Sequence, residues 1–146
     1  MKFVVQRVKS ASLRVNGELV SEIGRGLVVY IGVKQGDTLD AAEKCAEKIA
    51  NLRVFSDGNG KLNLSVKDVG GEVLVVSNFT LYGDISRGNR PSFTEAESAR
   101  SARFTLLQFN SKLTGLGVSY KCGVFGEDMQ ILQENDGPVT IVHEVS

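Results

Sequence analysis

Histidine and cysteine, two of the side chains that most often act as bases and nucleophiles in enzymes, are few and widely separated in this sequence. His143 is the only histidine, and it lies in a predicted strand near the C-terminus. Cys45 and Cys122 form neither a CxxC motif nor a Cys/His metal-binding pattern. The Thr80 hydroxyl needs a base to become a nucleophile, and no nearby histidine, lysine or free amine is evident from the sequence. We therefore expect no catalytic triad, no metal site and no cofactor.

A polar stretch, SNFTLYGD at 77–84, ends the most apolar predicted strand. Side chains alternate along a strand, which predicts Ser77 and Phe79 on one face and Asn78 and Thr80 on the other. Backbone N–H groups run out of partners at such a strand end, so polar residues there often line a ligand site. An ordinary strand end explains the same pattern.

Three loop motifs have both a structural and a functional interpretation. DGNGK at 57–61 lacks the spacing of a phosphate-binding loop and predicts a hairpin turn. SRGNR at 86–90 predicts a solvated loop or, through its two arginines, a contact with nucleic-acid phosphates. In NDGPVT at 135–140, Asp136-Gly137 is a hairpin signal, and Pro138 can donate no ladder hydrogen bond. A hairpin between strands at 128–134 and 139–145 is therefore expected.

The elements around these motifs predict an α+β fold in a single domain over residues 1–146. Asn16-Gly17 predicts a hairpin between the first two strands, and the apolar run at 26–33 predicts a buried strand. A helix is expected over 39–52, because Leu39, Ala42, Cys45 or Ala46, Ile49 and Leu52 recur at helical spacing, with Asp37 or Thr38 as its cap.

A second helix is predicted farther along the chain. Ser92-Phe93-Thr94-Glu95 fits a capping box and is expected to begin that helix. The helix would run to about Leu113 and be closed by Gly115 and Gly117.

Composition narrows the classes of partner. The 17 basic and 17 acidic residues balance, whereas proteins that coat duplex nucleic acid usually have a basic excess. A nucleic-acid footprint would have to be small, such as a single-stranded end. No apolar run approaches the roughly 20 residues that span a bilayer, and no signal peptide is evident. We expect a cytoplasmic protein without a membrane partner.

Taken together, the motifs resemble the D-aminoacyl-tRNA deacylase family. The likeness rests on VVSNFTLYGD, GNRPSF, GVFGEDM and NDGPVT, with MKFVVQRV at the start and GKLNLSV at 60–66, so it covers essentially the whole chain. The resemblance implies a homodimer with a compact, β-barrel-like fold and two helices. It also implies hydrolysis of the ester that joins a D-amino acid to the 3′-terminal adenosine of tRNA.

The resemblance also implies roles for particular residues. Ser77, Phe79 and Thr80 would position the ester through short side chains and main-chain hydrogen bonds, with Asn78 beside them. The 2′-OH of the terminal ribose would assist the attack. The family usually has Gln where this chain has Asn78, which is one methylene shorter and could mark a shifted substrate range.

Gly137-Pro138 would have a cis peptide bond and enter the pocket of the partner subunit, with glycine supplying backbone angles closed to other residues. Its carbonyl oxygens would obstruct L side chains, so that D-amino acids and glycine are accepted. Phe125 and Met129 would contact the terminal adenine, although core packing explains them equally well. Arg7 would guard the Gly-Pro loop or the dimer contact, or would be an ordinary strand arginine.

Two other functions fit the same residues. The chain could be a non-catalytic module that binds aminoacyl-tRNA, or an editing esterase for another aminoacyl-tRNA. The intact NDGPVT motif favours the D-specific hydrolase over an L-specific esterase.

Overall fold

The computed structural model describes residues 1–146 and has the predicted α+β composition. In chain order its elements are β1 Lys2–Val15, β2 Glu18–Ile23, β3 Gly26–Gly32, α1 Leu39–Asn51, β4 Phe55–Ser56, β5 Leu62–Leu64, β6 Glu72–Ser77, a 3-10 helix Phe79–Tyr82, α2 Ala99–Gly115, β7 Tyr120–Cys122 and β8 Gln130–Glu144. Six strands form one sheet in the order β2-β1-β3-β6-β7, with β8 on the other edge of β1. The sheet is strongly curved and nearly closes, so the predicted barrel-like fold with two helices is confirmed.

Strand β1 is the centre of the sheet because it is long enough to pair with three neighbours. Its first half pairs with β3 and its second half with β2, while β8 runs along the opposite edge from Lys2 to Arg14. Asn16 and Gly17 form the predicted turn between β1 and β2, with φ of 51° and 79°. Both values lie in the left-handed region that Asn-Gly turns favour.

The apolar strands β3 and β6 pair in parallel, from Gly26 opposite Glu72 to Ile31 opposite Ser77. Both are buried almost throughout, as expected for parallel strands covered on both faces. Because they run in the same direction, their C-terminal ends meet at one edge of the sheet. The candidate site lies at this edge.

Two hydrophobic clusters occupy the two faces of the sheet. A cluster of 23 buried residues, including Phe3, Ile31 and Phe109, fills the space between the sheet and both helices. A cluster of 7, including Leu13 and Val76, lies on the other face and is formed by residues of β1, β2, β3 and β6. Cys45 is fully buried in the larger cluster, which confirms its predicted role as a small core residue.

The first helix matches its prediction and the second begins later than predicted. The Thr38 hydroxyl accepts from the Ala41 N–H at 3.1 Å and caps α1. The proposed capping box at 92–95 is wrong, because α2 begins at Ala99 with Ser98 as its cap. The backbone of Ser92 pairs instead with Asp84, so it takes an extended conformation. This pairing with a distant segment prevents residues 92–95 from beginning the helix that their local pattern predicted.

The hairpin expected at Asp136-Gly137 is also wrong. Residues 130–144 form one strand, and both of its halves pair with β1 in the same antiparallel direction. The register shifts twice, between Gln6 and Val8 and between Val8 and Ser10. The extra residues are absorbed as a bulge, which is where a strand can accommodate proline. We call residues 136–138 the Gly-Pro bulge.

Candidate active site

A cavity of about 590 Å³ opens where β3 and β6 end. Its wall comes from the end of β3, the segment 76–80, the start of α2 and the loop 125–129. Six residues predicted from the sequence line it together: Ser77, Asn78, Phe79, Thr80, Phe125 and Met129. Phe125 and Met129 also pack against the two hydrophobic clusters, Phe125 against the larger and Met129 against the smaller, which agrees with the core packing predicted for them as one of two roles. Their contact with an adenine stays a prediction.

The alternation predicted for residues 77–80 is wrong, because β6 stops at Ser77 and a 3-10 helix begins at Phe79. Asn78 is the residue that makes this change of direction. Its side-chain oxygen accepts from the Thr80 N–H at 3.1 Å and also from the Thr80 hydroxyl. Asn78 therefore acts as a helix cap, a position at which asparagine is favoured.

The Thr80 hydroxyl lacks the partner that would activate it. It donates to the side-chain oxygen of Asn78, and an amide oxygen cannot remove a proton as a general base does. The lining includes no histidine or lysine, and its carboxylates are those of Glu97, Glu127 and Asp128. The hydrogen bond to Asn78 suits Thr80 for holding the backbone and contacting a ligand.

The end of β3 contributes residues that sequence patterns did not single out. Tyr30 and Gly32 line the cavity beside the 77–80 segment. A Cβ at Gly32 would lie 2.8 Å from the Asn78 carbonyl oxygen, so the two backbones approach as closely as glycine permits. The signal available in the sequence was the apolar run of β3, which predicts a buried strand but does not identify its neighbour.

The lining of the cavity includes three acidic residues. The carboxylates of Glu97, Glu127 and Asp128 can hold cationic groups of a ligand. The Arg103 guanidinium lies 5.4 Å from the centre of the Phe125 ring, a distance typical of a cation–π contact. This contact ties the loop that carries Phe125 to α2.

The Gly-Pro bulge lies outside the cavity of its own chain, and Gly137 and Pro138 are exposed. The peptide bond between them is cis. Arg7, whose side chain is only 11% exposed, is next to it. The Arg7 Nε donates to the Asp136 carbonyl at 2.9 Å, and one Nη donates to the Val54 carbonyl at 2.7 Å. Arg7 thus fastens the bulge to the body of the domain.

Glycine at position 137 is not required by its own backbone. The φ of Gly137 is outside the left-handed region, which corrects the expectation that it adopts angles closed to other residues. A Cβ there would meet no atom nearer than 3.6 Å, an ordinary contact distance. The space within this chain therefore leaves room for a methyl group at position 137.

A line of hydrogen-bonded side chains leads from the cavity wall to the bulge. The Tyr30 hydroxyl donates to Gln133 at 2.7 Å, and Gln133 donates to Gln6 at 2.9 Å. Gln6 donates to the Thr140 hydroxyl at 3.3 Å, which in turn donates to the Pro138 carbonyl at 3.1 Å. Burial raises the pKa of the Tyr30 phenol, so Tyr30 keeps the proton that it donates.

Comparison with known proteins decides the family. A family model described as D-Tyr-tRNA(Tyr) deacylase matches residues 4–144. A D-aminoacyl-tRNA deacylase of Carboxydothermus hydrogenoformans is 52% identical over 145 residues, covering 99% of this chain and all of that protein. One of Clostridium botulinum is 47% identical and covers 100% of this chain and 98% of its own. The chain belongs to the D-Tyr-tRNA(Tyr) deacylase family.

Two solved structures have the same fold as this chain. A protein named c-Myc DNA Unwinding Element Binding Protein superposes with a TM-score of 0.92 at 43% identity, covering 99% of this chain and 98% of that one. A probable eukaryotic D-amino acid tRNA deacylase superposes with a TM-score of 0.85 at 16% identity, covering 97% of each chain. The second likeness concerns the fold alone.

The single histidine and the two cysteines of this family member lie outside the cavity. The exposed His143 lies on β8, where its ring packs against Phe3 with centroids 5.6 Å apart. Burial raises the pKa of the Cys45 thiol to about 11 and also raises that of Cys122. Both thiols are thus protonated near neutral pH. No helix has the length and apolar character needed to span a membrane.

Proposed function

We propose that this chain hydrolyses D-aminoacyl-tRNA and releases the D-amino acid. The observation that carries the proposal is the assembly of the 77–80 segment, Phe125 and Met129 around one cavity in a chain of this family. The cavity is within the volume range of small-ligand sites, and its lining combines apolar side chains with a few polar groups.

The chemistry requires positioning more than side-chain catalysis. Water adds to the ester carbonyl carbon, the bond to the ribose 3′ oxygen breaks, and that oxygen leaves with a proton. Main-chain groups and short side chains of Ser77, Phe79 and Thr80 hold the ester while the neighbouring 2′-OH assists the attack. The hydrogen bond from the Thr80 hydroxyl to an amide oxygen, rather than to a base, supports this division of work between protein and RNA.

The Gly-Pro bulge acts as a chirality filter in the pocket of a second copy. Ile131 lines the cavity of its own chain, and Gly137 is six residues farther along the same strand, or about 20 Å away at roughly 3.3 Å per residue. Neither Gly137 nor Pro138 lines the cavity of its own chain, which supports a role in the pocket of another subunit.

The filter works by exclusion, so it need not recognise each D side chain. Main-chain carbonyls obstruct an L side chain, and glycine, which has no side chain, passes. Arg7 keeps the bulge in position through its bonds to Asp136 and Val54. Phe125 and Met129 contact the terminal adenine, and the protein acts in the cytoplasm on charged tRNA.

Release of amino acids from charged tRNA tests the function directly. Purified protein should release D-tyrosine from D-tyrosyl-tRNA and glycine from glycyl-tRNA, and should leave L-tyrosyl-tRNA intact. Equal release of D- and L-tyrosine would contradict the chirality filter. Binding without turnover of any charged tRNA would identify a non-catalytic module instead.

Two further measurements separate the mechanism from its alternatives. Replacing the terminal 2′-OH with hydrogen should reduce turnover far more than EDTA, His143→Ala or Cys122→Ala does. A chelator-sensitive reaction indifferent to the 2′-OH would contradict the RNA-assisted mechanism. Light scattering at micromolar concentration should give a homodimer, and a fully active monomer would contradict the shared pocket.

A further inference from the structure

Residues 84–92 form an exposed arm that begins and ends beside the candidate active site. Asp84 and Ser92 exchange two backbone hydrogen bonds of 2.8 and 2.9 Å, which close the arm at its base. Immediately after it, Phe93 packs edge-to-face against Phe79, with ring centroids 5.2 Å apart. Because Phe79 lines the cavity, the base of the arm is fixed to the cavity wall.

The two phenylalanines are unusually exposed for a packed pair. Phe79 is 56% and Phe93 38% accessible, so both rings present apolar surface next to the cavity mouth. Exposed aromatic rings beside a ligand site are platforms on which unpaired bases can stack. Their contact with each other holds both rings in place before any ligand binds.

The charge of the arm is positive and uncompensated. Arg87 and Arg90 are both exposed, and neither forms an ion pair. The single acid of the arm is Asp84 at its base, whose carboxylate accepts from the Ser86 N–H at 2.8 Å. Two free guanidinium groups thus project beyond an aromatic platform. The chain as a whole has no net charge, so this concentration is local.

We propose that the arm and the Phe79–Phe93 pair bind the single-stranded nucleotides that precede the aminoacylated adenosine of tRNA. Bases stack on the phenylalanine pair, and Arg87 and Arg90 contact the phosphates. The proposal rests on the proposed function for the identity of the RNA. Aromatic rings combined with free cations suit single-stranded nucleic acid, and the small size of the surface agrees with a footprint of a few nucleotides.

Binding of an uncharged RNA oligonucleotide that ends in CCA tests the proposal without requiring hydrolysis. Fluorescence anisotropy across a series of salt concentrations should show that Arg87→Gln/Arg90→Gln binds on the order of tenfold more weakly than wild type at low salt. The slope of log affinity against log salt should fall by about 1.4, at about 0.7 for each phosphate contact with a single strand. Phe93→Leu should weaken binding roughly tenfold through lost stacking, with an unchanged salt slope.

The matched control is Lys48→Gln/Lys61→Gln, which removes the same charge from exposed residues on α1 and the β4–β5 hairpin. This control should retain wild-type affinity and slope. Thermal unfolding and light scattering should show that every variant keeps the fold and oligomeric state of wild type. Wild-type affinity in the arm variants, equal weakening in the control, or no oligonucleotide binding by wild type would overturn the proposal.

The outcome is independent of the proposed function. If the protein releases D-tyrosine from tRNA while the arm variants bind RNA normally, the arm proposal fails and the hydrolase stands. If the arm variants lose RNA binding but wild type hydrolyses no charged tRNA, the arm proposal stands and the hydrolase fails.

Discussion

The cavity wall and the Gly-Pro bulge contain the residues proposed to act on the same substrate, yet they are stabilised in different ways. The wall is built from the ends of β3 and β6, whose preceding residues are buried in both hydrophobic clusters. The bulge is exposed and is held by Arg7 and by the side-chain line from Tyr30 to Thr140. The geometry of the wall depends on core packing, whereas that of the bulge depends on a few polar contacts.

This difference separates stability from selectivity. A change in the wall should alter the free energy of unfolding and turnover together, because wall and core share the same strands. A change in the bulge should alter discrimination between D and L substrates with a smaller effect on folding. Substitutions of the same chemical type in both regions can therefore test the comparison.

The largest effect is expected for Gly32→Ala. The new Cβ would lie 2.8 Å from the Asn78 carbonyl oxygen and 3.4 Å from the Leu81 Cβ. Overpacking of this kind costs about 1–3 kcal/mol of unfolding free energy and should also displace the 77–80 segment, with a loss of turnover greater than tenfold. Urea unfolding and release of D-tyrosine measure the two effects.

Gly137→Ala makes the identical change in the bulge, where no atom is nearer than 3.6 Å. Its unfolding free energy should match wild type, while release of D-tyrosine should fall because the methyl group would enter the pocket of the proposed partner subunit. A loss of stability as large as that of Gly32→Ala would erase the distinction between the two regions.

Arg7→Met should produce the next largest effect. It removes the donors to the carbonyls of Asp136 and Val54, and leaving a buried acceptor unpaired costs about 1–3 kcal/mol. The freed bulge should admit L substrates, so the ratio of D- to L-tyrosine release should fall. Arg14→Met is the control, because Arg14 lies on the same strand with an exposed side chain. Unchanged selectivity in Arg7→Met would show that other contacts hold the bulge.

Asn78→Ala tests how much one helix cap contributes to the cavity wall. Removing the acceptor for the Thr80 N–H should cost about 1 kcal/mol of unfolding free energy. Turnover should fall but remain measurable, since in the proposed mechanism Ser77, Phe79 and the ribose hydroxyl still hold the ester. Asn78→Asp keeps an acceptor oxygen, and Asn78→Gln should stay within roughly tenfold of wild type, a barrier change of about 1.4 kcal/mol or less. Abolished turnover in Asn78→Ala would assign a catalytic role to the side chain.

Lowering the pH is expected to have the smallest effect. It should reduce the free energy of unfolding and leave the selectivity between D and L substrates unchanged. Backbone N–H groups of Lys61, Ser65 and Ser86 lower the pKa values of Asp57, Asp68 and Asp84, respectively, below their ordinary value of 3.8. As the pH falls, these carboxylates are therefore protonated at a higher pH in the unfolded chain than in the folded protein.

The stabilisation from these carboxylates should be complete above pH 3.8 and lost as the pH falls through the lower values of the folded state. Urea unfolding between pH 6 and pH 3 should show this decline, and Asp57→Asn should make it shallower. A rise in stability on acidification would contradict the sign of these shifts.

Local chemistry predicted the elements whose partners are close in sequence. The Asn16-Gly17 turn and the helix capped by Thr38 each follow from a few neighbouring residues. The predictions at 92–95 and at Asp136-Gly137 failed because distant backbone partners, Asp84 in one case and β1 in the other, determined the conformation. A turn signal describes what a segment can do alone and does not identify the strand it will pair with.

As with the fold, the sequence predicted some parts of the candidate site and missed others. Motifs identified the 77–80 segment, Phe125 and Met129, which the fold brings together. Tyr30 and Gly32 were not found, because only the parallel pairing of β3 with β6 places them there. The cap formed by Asn78 was also missed, since the strand ends at Ser77 instead of continuing through Thr80 as predicted.

Activity should depend more on the number of β8 residues between the cavity and the bulge than on which residues they are. Pairing with β1 fixes the separation of Ile131 and Gly137. One inserted residue would turn every following side chain to the opposite face, and two would restore the faces but move the bulge by about 6.6 Å. A library of insertions and deletions between these positions should therefore be depleted of active members, while a substitution library over the same residues should be rich in them.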